Sequence, residues 1–346
     1  MAKRQVRVAL VGATGAIGRE CVSLLFERSF PLSSLRLFAS SDSEGTELEF
    51  GEEMLTVEEL DDAVFSDFDI AIFAVPRAVS LKYVPRAVEC GCCVIDASCS
   101  GGPCGDSLLV VPEVNGAEFK QYLAGISGGR GFAVKSPGAA AVQLAVVLKP
   151  ISERAGLRRV SAVFCFAASL YGHAGMSELW GQTVEIFSQR EVSPKVFSRQ
   201  VAFNCFPQAG EFDDGGCTTE ERRVIDEVCN LLKQPELGMA VTGAVVGVMS
   251  CHSAVLSVET ERKLSTMEAA ELLRNSPGII VTDALSEEPY PTAIDMAGSD
   301  AVYVGRVRQD DSRENGLQMW VVADDLRKGS ALNMVEIAEI AAEKMI

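Results

Sequence analysis

Apolar and polar positions fall into two textures along the chain. In the first hundred residues, short continuous apolar runs alternate with stretches of helical spacing. "VRVALVG" (6–12), "LRLFASS" (35–41), "FDIAIFAV" (68–75) and "CVIDAS" (93–98) read as buried strands. "GATGAIGRECVSLLFERSF" and "SLKYVPRAVECG" carry helical periodicity. Strands alternating with helices at this spacing predict a parallel sheet built by right-handed crossovers. The glycine-rich "GISGGRGFAVKSPG" (125–138) marks a boundary. Beyond it come a helix over 139–154, a β-branched and aromatic strand at 159–170, a helix near 176–190 and a charged helix at 219–233. "GAVVGVMSC" and "SAVLSVET" read as strands. "AVYVGRVRQ", a turn at "RENG" and "LQMWVVAD" read as an antiparallel hairpin. A final helix covers 327–345, and no internal repeat is present.

Length and charge narrow the picture. A chain of 346 residues exceeds one ordinary core, so two domains are expected. The net charge of −17 excludes nucleic acid and anionic membrane surfaces, which need a cationic face. No apolar run reaches the roughly 18 residues that span a bilayer. Eleven cysteines without regular spacing read as reduced thiols filling apolar space in a cytoplasmic protein. With two histidines and no paired CxxC spacing, no metal site is expected.

The chemistry begins at the first turn. Gly12, Gly15 and Gly18 stand between a strand and a helix, with Thr14, Ala16 and Ile17 among them. Such a loop turns tightly, presents N–H groups to a pyrophosphate and lets helix pack on strand. The alternative is a merely structural βα turn. Asp42 lies 24 residues after Gly18, where an acid accepts hydrogen bonds from an adenosine ribose and repels a 2′-phosphate. Glu44 and Glu47 add to that repulsion, so NAD is favoured over NADP. A solvated turn residue is the other reading of Asp42. The fold class is therefore α/β: a Rossmann-like dinucleotide-binding domain at 1–131 and an α+β dimerisation and substrate domain at 132–325. The helix at 326–346 is expected to return to the first domain.

One stretch poses a question. "VKSPGAAAVQLAVVLKP" (134–150) sets a helix start after Ser136-Pro137-Gly138, a place for an anion or an activated nucleophile. Ala139, Ala140 and Ala141 offer no thiol, hydroxyl or charge.

"VALVGATGAIG", "VVPEVN" (110–115), "VQLAVVLKP", "HAGMSEL" (173–179), "AFNCFPQ" (202–208) and "YVGRVR…ENGLQMWVVADDLRKGSALNMVEIAE" resemble the aspartate-β-semialdehyde dehydrogenase family from about residue 6 to the C-terminus. With altered active-site positions, the chain resembles that family's Usg branch. The resemblance implies a homo-oligomer built on dimers. Its members reductively dephosphorylate aspartyl-4-phosphate with NADPH, using a cysteine thiolate, a histidine and arginine clamps. Such a thiolate forms and releases a thioester. The family's Asn-Pro-Asn-Cys-Ser-Thr stretch falls on residues 136–141, so its nucleophile becomes Ala139. Its phosphate-binding arginine falls on Gly102, its glutamine on Phe166, its substrate arginine near Val245 and its 2′-phosphate arginine on Asp42. Two glycines after its third strand become Pro76-Arg77, crowding the nicotinamide side. His252 keeps the proton-handling position, with a satisfied interior imidazole as the rival reading. Arg223 keeps the charge of a family lysine. Gln143, Arg327, Lys328 and Asn333 match family positions. Asn333 lies where the final helix meets the cofactor, while Arg327 and Lys328 also read as ordinary surface cations.

Three functions follow as rivals. The first is a non-catalytic homodimer that keeps NAD binding. The second is an active semialdehyde dehydrogenase using a relocated cysteine, Cys251 or Cys165. The third is a purely structural dimer with an empty dinucleotide cleft.

Overall fold

Strand β1 (Val6–Val11) shows why the first sheet forms: Val8 and Leu10 point to one apolar cluster, Ala9 and Val11 to another. A strand buried on both faces belongs in the middle of a parallel sheet with helices on each side. The computed structural model describes residues 5–60, 62–98, 107–126, 130–282 and 289–345. Its contacts divide the chain into two units, Met1–Gly138 with Ser330–Ile346, and Ala139–Gly329.

In the first unit β1 is followed by α1 (Ala16–Glu27), β2 (Leu32–Ala39), β3 (Glu47–Phe50), β4 (Glu53–Glu59), β5 (Ile70–Phe73), α2 (Arg77–Glu89), β6 (Cys93–Asp96), α3 (Pro112–Gly125) and β7 (Phe132–Lys135). The sheet order is β3-β4-β2-β1-β5-β6-β7. All pairs are parallel except the β3–β4 hairpin. The order reverses at β1: the chain steps from β1 to β2 on one side, then returns to place β5 on the other. Ligands of open parallel sheets bind at that reversal, beyond the strands' carboxyl ends.

The second unit holds α4 (Ala139–Ala155), β8 (Leu157–Phe166), α5 (Gly172–Phe187), β9 (Cys205–Phe206), α6 (Thr219–Leu231), β10 (Gly238–Val246), β11 (His252–Thr260), α7 (Thr266–Arg274), β12 (Ile279–Val281), β13 (Val302–Asp310) and β14 (Gly316–Ala323). Its mixed sheet runs β12-β13-β14-β11-β8-β10-β9. Helices α4, α6 and α7 pack on this sheet. On β8 and β11, Val160, Ala162, Phe164, Ala254, Leu256 and Val258 are buried, while the cross-strand neighbours Val163 and Val255 are exposed. Helix α6 is started by a capping box, Thr218 with Glu221. After β14 the chain rejoins the first unit as α8 (Leu332–Met345), whose Met334, Ile337, Ala338 and Ala341 enter the core shared with α1 and α3. No described helix is long and apolar enough to cross a membrane.

Several elements depart from the sequence pattern. Strand β3 is charged at Glu47 and Glu49 and β4 at Glu53, Glu58 and Glu59, with β3 as the edge of the sheet. Strand β7 lies inside the glycine-rich stretch read as a boundary. Strand β8 stops at Phe166 and a 3-10 turn takes Ala168–Tyr171. Strand β10 begins at Gly238 and ends at Val246, five residues earlier at each end than the apolar run implied, because Gly247 packs on the Val201 carbonyl and the chain turns there.

Gly18 packs closely on the loop that precedes its helix: a Cβ there would lie 2.0 Å from the Gly12 carbonyl oxygen. Gly18→Ala should lower stability by about 1–3 kcal/mol through overpacking. Gly181→Ala, on α5 with open space around it, should leave the melting temperature unchanged or raised. Thermal unfolding of the two variants checks the contrast.

Candidate functional site

The glycine loop gathers most of the predicted cofactor residues. Gly12 has φ +90°, and a Cβ there would lie 2.3 Å from the Ala74 carbonyl oxygen, so only glycine fits. Gly15 is the N-cap of α1, with no side-chain cap and no acid in the first turn. The first N–H groups, from Ala16 and Ile17, therefore have no capping side chain and form the positive end of the helix dipole. Thr14 Oγ1 donates to Ser43 Oγ at 3.3 Å, tying the loop to the 3-10 turn Ser41–Ser43 after β2. Asp42 stands exposed on that turn.

Asn333, at the start of α8, is fully buried. Its Nδ2 donates to the Val110 carbonyl at 3.1 Å and to Ser136 Oγ at 2.8 Å. Its Oδ1 has no hydrogen-bond partner. An unsatisfied buried acceptor costs about 1–3 kcal/mol, so this oxygen is suited to a donor brought by a ligand. A carboxamide N–H, such as that of nicotinamide, has the matching chemistry. The glycine cradle and this orphan acceptor fit a nicotinamide dinucleotide. Gly102 lies outside the described residues.

The second unit brings Ala139, Gln143 and His252 together. Gln143, one turn after Ala139 on α4, donates from Nε2 to the His252 carbonyl at 3.2 Å. His252 is buried, and its Nδ1 accepts from the Ala167 N–H at 3.3 Å. In that bond Nδ1 is the acceptor. Asp325, unread in the sequence, is a buried carboxylate whose Oδ1 accepts from Ser169 Oγ and the Cys251 N–H, each at 2.8 Å. It stands 3.6 Å from His252 Nδ1. Residues 169, 251 and 325 are far apart in sequence, and it is the pairing of His252 with Ala323 that brings Asp325 near.

Apolar groups fill the positions where the resemblance puts polar ones. A Cβ on Gly329 would lie 2.5 Å from Ala139 Cβ, so the alanine methyl packs on that glycine. Phe166 is fully buried, stacked on Phe164 at 5.0 Å and edge-on to His252 at 5.1 Å. Gly243 makes room for the Phe166 ring, which a Cβ there would approach to 2.5 Å. Val245 is fully buried between Phe166 and Phe206 of the neighbouring strands. Arg223 lies on α6. Its Nε donates to the buried Glu227 at 3.0 Å, and Glu220 lies 3.9 Å away. Lys328 is buried rather than a surface cation, because the chain turns inward at Arg327–Ala331. Arg327 is largely covered and bonds Asp300 at 2.5 Å.

No described group of histidine, cysteine and acidic residues has the arrangement of a metal site. Burial, reinforced by Asp324 and Asp325, pushes the Cys251 thiol up to about 12. Burial also raises Cys165, with Cys205 adding to the shift. Neither thiol is set up to ionise near neutral pH.

Comparison with known proteins agrees with this architecture. A family model described as "Semialdehyde dehydrogenase, NAD binding domain" matches residues 7–122, and one described as "Semialdehyde dehydrogenase, dimerisation domain" matches 148–328. The aspartate-semialdehyde dehydrogenase of Aquifex aeolicus is 38% identical, over 98% of each chain. That of Legionella pneumophila is 37% identical, over 99% of this chain and 97% of its own. The crystal structure of aspartate semialdehyde dehydrogenase II from Vibrio cholerae superposes with a TM-score of 0.91 at 34% identity, over 97% of this chain and 98% of its own. The fold is that of a two-domain α/β protein with an NAD-binding unit and a dimerisation unit. The chain belongs to the semialdehyde dehydrogenase family.

Thiol labelling at pH 8 follows from the burial pattern. Exposed Cys90 and Cys205 should react first, and Cys251 only after unfolding. Rapid modification of Cys251 in the folded protein, located by peptide mass mapping, would contradict this ordering.

Proposed function

We propose that this chain is a non-catalytic member of its family that retains a nicotinamide dinucleotide site and forms a homodimer. The observation that carries the reading is the methyl group of Ala139 at the first residue of α4, packed on Gly329. Family chemistry passes through a thioacyl intermediate, and a methyl group cannot form one. Loss of a catalytic nucleophile removes about six powers of ten in turnover. Phe166 and Val245 deepen the loss, since a dianionic substrate needs fixed cations and polar partners. Changing Ala139 to cysteine alone therefore restores no activity. His252 and Gln143 remain as parts of the interior network.

When bound, the dinucleotide supplies a hydride acceptor or donor. The glycine loop would hold its pyrophosphate, Asn333 its carboxamide and Asp42 its adenosine ribose. The exposed Asp42 disfavours a 2′-phosphate, which makes NAD the better ligand. The exposed apolar pair Val163 and Val255 supports a two-fold contact through the open face of the second sheet. A second reading rests on the names of the relatives: nearly full-length likeness to aspartate-semialdehyde dehydrogenases favours an active enzyme of that kind.

One assay separates the two. The protein is incubated with L-aspartate semialdehyde, phosphate and NAD or NADP, and reduced nicotinamide is followed by absorbance. No turnover above background is expected. A rate of about 1–1000 per second would establish the active reading. In thermal-shift measurements NAD should raise the midpoint more than NADP, because a ligand stabilises the state it binds. An equal or larger NADP shift would refute the role given to Asp42.

A further inference from the structure

The amino ends of the parallel strands border a cavity of about 490 Å³ within the first unit. Cavities of roughly 300–1,000 Å³ with apolar walls and a few converging polar groups are where small ligands bind. The wall forms where Val6 opens β1, Phe68 precedes β5 and Phe132 opens β7. Leu123 and Ile126 join it from the end of α3, and Met345 from the end of α8. Ile126, Phe132 and Met345 pack on the core yet are only partly buried, so apolar surface continuous with the core is open to the cavity. The glycine loop follows β1 at its other end, and six residues at about 3.3 Å each put roughly 20 Å between the two.

Three cations meet this apolar wall, and Asp69 is the one acid among the lining residues. Arg7 is neutralised by that acid: its Nη2 donates to Asp69 Oδ1 at 2.9 Å and its Nε to Asp69 Oδ2 at 3.1 Å. Helix carboxyl ends gather at this edge and attract cations, and Lys344 Nζ donates to the Leu123 carbonyl. Arg130 serves neither purpose. Among the described residues it has no carboxylate and no carbonyl partner. It is exposed, and it also lines an adjoining cavity of about 590 Å³, whose acid, Glu89, makes no ion pair with it. Lys344 and Arg130 thus stand without a counter-anion beside an apolar wall, in a chain whose net charge is −17.

We propose that this cavity binds a small amphiphilic carboxylate, an aliphatic or aromatic acid whose body lies on the apolar wall and whose carboxylate pairs with Arg130. A guanidinium meets a carboxylate through two parallel, charge-assisted hydrogen bonds, a geometry that an ammonium cannot offer. The site lies at the opposite end of the sheet from the glycine loop and is independent of dinucleotide binding.

Cys90 supplies the readout, because it is exposed and lines the cavity, whereas the exposed Cys205 lies in the second unit. Octanoate is the probe and 1-octanol its uncharged counterpart; iodoacetamide alkylation of the full chain is followed by peptide mass mapping. Octanoate should slow alkylation of Cys90 several-fold, saturably, and leave Cys205 unchanged, with 1-octanol protecting less at equal concentration. Arg130→Gln should need about tenfold more octanoate for the same protection, and Arg130→Lys should recover part of the difference. Circular dichroism checks that both variants fold. An unchanged Cys90 rate, or equal slowing of Cys205, would overturn the site. Equal protection by 1-octanol, or protection undiminished in Arg130→Gln, would overturn the carboxylate contact and with it the proposal.

Discussion

Helix α4 begins on a methyl group that lies against the Cα of Gly329, and this contact sets the terms for the second unit. The start of a helix is electrostatically prepared for a thiolate, since its free N–H groups and dipole lower the thiol's pKa. Here that preparation acts on carbon. Around it the structure is coherent on apolar terms: Phe166 is stacked on Phe164 and edge-on to His252, Gly243 yields space to its ring, and Val245 is buried on the same strand. The His252 ring accepts from the Ala167 N–H, and its backbone carbonyl accepts from Gln143. A single reversion in such a neighbourhood meets a packed core rather than a waiting site.

The first unit kept a different set of constraints. Gly12 and Gly18 are demanded by close approaches of backbone to backbone, so their presence alone does not distinguish a working dinucleotide site from a well-packed turn. The unpartnered Oδ1 of Asn333 is a feature that packing alone does not require. The glycine loop and Asn333 belong to one unit, Ala139 to the other.

Much of this was legible in the sequence, for identifiable reasons. The central strands β1, β5 and β6 are buried on both faces, so they stand out as apolar runs. The hairpin β3–β4 was hidden by its charges, and α3 by weak periodicity with a kink at Asn115, whose side chain bonds the Val111 N–H and the Leu109 carbonyl. The start of α4 could be placed from Pro137 and Gly138. The partner of His252 could not: Asp325 nears it only through the β11–β14 register, and Ser169 meets Asp325 only through the turn after β8. Arg223 illustrates the opposite limit, since a charge that matches a family position is held by Glu227 on its own helix.

The central claim is that the first residue of α4, Ala139, carries no side chain able to hold an acyl group. Its most direct test is intact-protein mass spectrometry after incubation with aspartate semialdehyde and NAD, or with an acyl-phosphate analogue, quenched in acid. The unmodified mass is predicted. A stoichiometric adduct, mapped by peptide sequencing to any residue between 139 and 329, would contradict it.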